Sequence, residues 1–124
     1  MIFGIVGNRH GWDYPTIEKE LNYLIELKKG DIVISGGASG VDTYAQEYAK
    51  KHGAEMNILY PDPTEPIPKR YFDRNKIIAE RCDMLIAFDR GSQRGSGTLN
   101  TINHAKKLDK PVMIVQRTNV KDYK

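Results

Sequence analysis

Apolar residues along the chain fall into two alternating patterns. Short, almost unbroken runs occupy residues 1–6, 32–35, 54–60, 83–88 and 111–115. Such runs, rich in Ile and Val and bounded by glycine or polar turns, predict strands buried on both faces. Between them the apolar positions space out as on one face of a helix. Residues 16–29 place Ile17, Leu21, Leu24, Ile25 and Leu27 or Lys28 on one stripe, with Pro15 suited to the first turn and Gly30 to the stop. Residues 41–52 do the same with Val41, Tyr44, Ala45, Tyr48 and Ala49, ending at Gly53. Residues 69–81 predict a third helix buried through Phe72, Ile77, Ile78 and Cys82. Residues 99–108 predict a fourth, with Thr98 as N-cap and Leu99, Ile102, Ala105 and Leu108 inward. The proline-rich stretch 61–68 is too stiff for regular structure and suits a rim or lid.

Five strands alternating with four helices predict a Rossmann-like three-layer α/β sandwich with a five-stranded parallel sheet. Right-handed crossovers and a central first strand favour the order 3-2-1-4-5. The expected domain is residues 1–116, followed by a polar tail at 117–124. With 124 residues the chain is long enough for one core and too short for two.

Composition narrows the function. A net charge of +3 is a mild excess, well short of a dedicated nucleic-acid binder. A single cysteine, Cys82, excludes an internal disulfide and fits a reducing compartment, so a cytoplasmic location is expected. No apolar run approaches a membrane span, and residues 1–3 begin a strand, not a signal peptide. His10, His52 and His104 lack metal-ligand spacing, so neither a metal nor a cofactor is expected.

The chemistry concentrates in glycine turns that this strand order brings to one crevice. Ser35, Gly36, Gly37, Ala38, Ser39, Gly40 and Asp42 join the second strand to the second helix. Glycines leave backbone N–H groups open to a ligand, and a following helix adds the positive end of its dipole, so the turn suits a phosphate. Its spacing is neither a Walker A loop nor G-x-G-x-x-G. The competing reading is a packing turn with Ser39 and Asp42 as a capping box. Gly7, Asn8 and Arg9 end the first strand, and Gly95, Ser96, Gly97 and Thr98 precede the fourth helix. Arg9 and Arg94 are candidate anion contacts, whereas Trp12 and Tyr14 suit either stacking on a base or covering the first helix.

The stretches Ser35 to Asp42, Phe72-Asp73-Arg74-Asn75-Lys76-Ile77-Ile78-Ala79 and Gly95-Ser96-Gly97-Thr98-Leu99 resemble the Rossmann-like domain of the DprA/Smf family and its lonely-guy phosphoribohydrolase relatives, within the SLOG superfamily. The resemblance implies a phosphate-and-ribose pocket in a homo-oligomeric protein. It brings Arg74 and Asn75 into the site, with Asp42 or Asn75 reading ribose or base. The phosphoribohydrolases carry a glutamate three residues after the Gly-Thr pair, where this chain has Thr101, so no catalytic residue is assigned. Against DprA, Ser39 stands in place of an arginine and Gln46 in place of a histidine. The expected function is binding of a phosphorylated nucleotide derivative (ADP-ribose-like, NAD-derived or cyclic), as a sensor or sequestering protein. The rivals are DprA-like single-stranded DNA binding, for which Lys69, Arg70, Tyr71, Phe72, Arg74 and Arg81 are candidates, and nucleotide 5′-monophosphate N-glycoside cleavage.

Overall fold

A computed structural model describes residues 1–90 and 97–116. Among these residues nine elements follow one another as β1 (Ile2–Gly7), α1 (Tyr14–Leu24), β2 (Ile32–Gly36), α2 (Val41–Lys51), β3 (Glu55–Leu59), α3 (Lys69–Arg81), β4 (Met84–Asp89), α4 (Gly97–Lys107) and β5 (Val112–Gln116). The strands form one parallel sheet in the order β3-β2-β1-β4-β5, as the alternation predicts. No described helix is long and apolar enough to cross a membrane.

Strand alternation divides the core into two layers. Phe3 and Ile5 of β1, Val33 of β2, and Ile86 and Phe88 of β4 face Ile17 and Leu21 of α1 and Val41, Ala45 and Tyr48 of α2. Val6, Ile34, Leu85 and Ala87 point the other way, toward Ile78, Ala79 and Cys82 at α3 and Ile102 and Ala105 of α4. Each fully buried Ile or Leu contributes about 1.5–3 kcal/mol. The hydroxyl of Tyr48, a core residue of α2, is paired: it donates to Asn22 Oδ1 at 2.7 Å. At the lower end of α3, Lys110 Nζ donates to the carbonyls of Cys82 and Glu80 at 2.6 and 3.0 Å, satisfying carbonyls that a helix terminus leaves open.

Three sequence expectations are corrected. Helix α1 stops at Leu24, because Ile25 turns extended and closes the helix through its N–H to the Leu21 carbonyl. Leu27 is still buried, but from outside the helix. On α3, Phe72 and Ile77 are 37% and 38% exposed, and the buried helical residues are Asn75, Ile78 and Ala79. On α4, Thr98 is not the N-cap: the helix already begins at Gly97, and its buried residues are Thr98, Thr101, Ile102 and Ala105, with Leu108 exposed. In both helices the inward stripe starts with polar residues at the end that faces the top of the sheet.

Candidate functional site

The strand order changes direction beside β1, so the connections leaving β1 and β4 part and open a crevice at the carboxyl ends of the strands. It encloses about 440 Å³. Gly7, Asn8 and Arg9 line it from the end of β1, Gly36, Ala38 and Asp42 from the turn into α2, Arg74 and Asn75 from α3, and Gly97 and Thr98 from the start of α4. All were singled out from the sequence. Ser35 lies buried beneath, its hydroxyl donating to the Ile5 carbonyl at 2.5 Å. Gly37, Ser39 and Gly40 belong to the turn without lining the crevice. Gly95, Ser96 and Arg94 lie outside the described residues.

The α2 turn is built by close approach. Gly40 holds φ 80° and ψ −128°, a region open to glycine alone among ordinary residues, and a Cβ there would strike the Arg9 backbone. It serves as the helix N-cap with no side-chain bond, so the Ser39–Asp42 capping box does not form and Ser39 is exposed. Instead, Asp42 Oδ2 accepts from the Ala38 N–H at 3.3 Å, and the Val41 N–H bonds the Asn8 carbonyl at 3.3 Å.

Asn8 organises the opposite wall. Its Oδ1 accepts from the Arg90 N–H at 2.7 Å and from Trp12 Nε1 at 3.3 Å, while its Nδ2 donates to Thr98 Oγ1 at 3.4 Å. This ties the β1 turn to the chain after β4 and to α4. Trp12 is thereby settled as a core residue, packed edge-to-face on Phe88 at 5.3 Å. Asn75 does the same work for α3. Its Oδ1 accepts from Arg74 Nε at 2.9 Å, and its Nδ2 donates to the Gly97 carbonyl and to Asn100 Oδ1.

Charge enters through three side chains. Arg74 Nη1 donates to the Leu59 carbonyl at 3.2 Å. A Cβ on Gly36 would meet that same nitrogen and would lie 2.8 Å from Asp42 Oδ2, so the missing side chain is what lets guanidinium and carboxylate converge. Burial pulls Arg74 below its usual range, opposed by the Asp42 charge. Burial pushes the Asp42 carboxyl up to about 6 against the pull of the Ala38 N–H, the Ser35 hydroxyl, Arg74 and Arg9. Arg9 is exposed at the mouth.

Pro68, Tyr71 and Phe72 add an apolar wall, and Val6 and Ile78 an apolar floor. From the sequence Tyr71 was weighed only as a stacking group for nucleic acid, and Phe72 as that or as a core residue. Their place in the crevice needed the helix rotation that the structure supplies. Arg70 does not continue the cationic wall: its Nε donates to the Glu65 carbonyl at 2.8 Å and holds the proline-rich loop. At the position of the phosphoribohydrolase glutamate, Thr101 lines the crevice with its hydroxyl donated back to the Gly97 carbonyl at 2.9 Å. Among the described residues, no group of three or more His, Cys, Asp or Glu side chains is placed to hold a metal ion.

No protein-family model and no curated protein matches the chain. Among solved structures, DNA processing protein A (DprA) from Streptococcus pneumoniae aligns with a TM-score of 0.72 and 22% identity, over 90% of this chain and 49% of that one. The chain thus spans about half the length of that structure. TM1055, a structural-genomics target, aligns with a TM-score of 0.63 and 19% identity, over 90% of this chain and 72% of that one. At these identities the likeness establishes the fold alone: the chain folds as a Rossmann-like domain with a five-stranded parallel sheet, similar to the matching parts of these two structures.

Proposed function

We propose that the crevice binds a phosphorylated nucleotide derivative of the ADP-ribose, NAD-derived or cyclic class, and that the protein acts by sensing or sequestering it. The observation that carries this reading is the meeting of two helix N-termini, α2 and α4, with Arg9 and Arg74 on one crevice. Helix N-termini favour anions, and a guanidinium adds a planar fork that matches a phosphate. The wall of Tyr71 and Phe72 offers aromatic faces to a base. Cleavage of a glycosidic bond is disfavoured, because Thr101 supplies no carboxylate and its hydroxyl is turned into its own helix. Arg74→Ala is expected to weaken nucleotide binding about ten- to a hundredfold, since a charge-assisted bond contributes roughly 1.5–3 kcal/mol. Arg74→Lys recovers part, keeping charge and losing the fork. Titration calorimetry across ADP-ribose, NAD, cyclic nucleotides and AMP reads this out, and unchanged affinity in Arg74→Ala removes Arg74 from the site. Free base released from AMP by the wild type, and lost in Arg74→Ala, overturns the binder reading in favour of the hydrolase.

Single-stranded DNA is the second reading, favoured by the aromatic pair at the crevice and by the likeness to a DNA processing protein. Several phosphate contacts would make its affinity fall steeply with salt, whereas one nucleotide loses little. The buried, unpaired Cys82 supports a reducing, cytoplasmic setting. Self-association belongs to the same proposal, with exposed Ile77 on α3 and Leu108 just beyond α4 as apolar contacts. Light scattering at high micromolar concentration is expected to report a dimer or larger. A monomer there removes self-association from the proposal.

A further inference from the structure

Asp42 is an awkward residue to find in a phosphate crevice. It is 6% exposed, lines the wall, and directs Oδ2 to the Ala38 N–H, one of the amides an incoming anion would seek. It faces Arg74 from α3, Arg9 from the turn after β1 and Ser35 of β2. Among the described residues, the wall therefore carries two cations and one carboxylate, leaving one net positive charge.

We propose that Asp42 sets the charge class of the ligand: the crevice takes a singly charged phosphodiester and rejects the doubly charged terminal phosphate of a nucleotide monophosphate. This deepens the nucleotide reading and rests on it. The argument is charge balance in a shielded site. A phosphodiester carries one negative charge, matched by the net charge of the wall. A terminal monoester above its second pKa of about 6 carries nearly two. The second charge lies against a buried carboxylate that Arg74 and Arg9 already partly neutralise, in surroundings where Coulomb repulsion is several times stronger than in water. Asp42 is also tethered: its Oδ2 accepts from the Ala38 N–H, and Arg74 approaches it across Gly36, where no side chain intervenes. Such a filter separates cyclic and other phosphodiester ligands from the monophosphates that a phosphoribohydrolase would consume. It makes Asp42 a specificity residue with no part in bond cleavage.

The test compares AMP with its 5′-methyl phosphodiester, which differ by one charge and a methyl group, at pH 8 in wild type and Asp42→Asn. Wild type is expected to bind the methyl ester at least about tenfold more tightly. The Asn variant, which keeps an oxygen for the Ala38 N–H, is expected to bring the two ligands within about threefold by strengthening AMP. Equal or tighter binding of AMP by wild type overturns the proposal, and needs no variant. A preference that persists in Asp42→Asn assigns it to shape and also overturns it. If neither ligand binds wild type or variant, the nucleotide reading itself fails, an outcome distinct from a lost preference.

Discussion

Gly40→Val is expected to lose about 4 kcal/mol or more of stability and to leave much of the chain unfolded, whereas Gly37→Val remains within about 1 kcal/mol of wild type. Read from the sequence, both glycines stand in one turn and carry equal weight for ligand approach. Structurally they differ in kind. Gly40 sits at φ 80° and ψ −128°, the mirror image of the strand region, which a β-branched residue reaches only under strain. Its added Cβ would also strike the Arg9 backbone, which is held by neighbouring bonds: Asn8 N–H to the Phe88 carbonyl and the Asn8 carbonyl to Val41. Neither the φ angle nor that contact can relax without opening the crevice. Gly37 lies outside the left-handed region, and the nearest atoms a Cβ there would meet belong to the ring of Tyr60, which is 68% exposed and free to swing into solvent. Urea denaturation followed by circular dichroism separates the two. A Gly40→Val midpoint equal to wild type would show that the turn tolerates another geometry.

That contrast marks where sequence pattern stops and tertiary approach begins. The sheet order and the crevice were legible because five apolar runs alternate with four helical stretches, and right-handed crossovers leave few topologies. Glycine turns at strand ends then had to meet. Helix rotation was not legible at the site. The inward stripe of α3 is Asn75, Ile78, Ala79 and then Cys82, and that of α4 is Thr98, Thr101, Ile102 and Ala105. Both follow the spacing i, i+3, i+4, i+7 but begin with polar residues. Seeking only apolar positions therefore rotates each helix, drawing Phe72 and Ile77, or Leu99 and Leu108, toward the core. The polar members earn their burial through hydrogen bonds, Asn75 to Arg74 and α4, Thr98 to Asn8, and Thr101 to the Gly97 carbonyl. The signal that marks them is tertiary. Asp42 illustrates the same limit, since its spacing suits a helix cap and only the approach of Gly36 and Arg74 reveals a buried charge.

Asp42→Asn is expected to stabilise the protein at pH 7 by up to about 3 kcal/mol, and by only about 0.5 kcal/mol at pH 4. The Asp42 carboxyl titrates near 6 in the folded protein, raised by burial from an unfolded value of 3.8. Each unit corresponds to about 1.4 kcal/mol between protonation states. Above pH 6 the carboxylate is ionised in both states, and folding bears the full cost of burying it. Below 3.8 it is protonated in both, and the cost vanishes. Between these values the folded state holds the extra proton, so the contribution of Asp42 improves as pH falls. Glu18, Asp31 and Asp62 work in the opposite direction, their carboxyls being held below the usual range by hydrogen bonds in the folded state. The quantity to measure is therefore the difference between wild type and variant in urea at each pH from 4 to 8, in which those groups cancel. It should grow severalfold across the window from pH 4 to 6 and level off above it. A difference that stays flat with pH would mean that Asp42 is not carried as a buried charge. A rising difference measures the stability that the fold forgoes to keep a carboxylate beside Arg74, a cost that a packing turn alone gives no reason to bear.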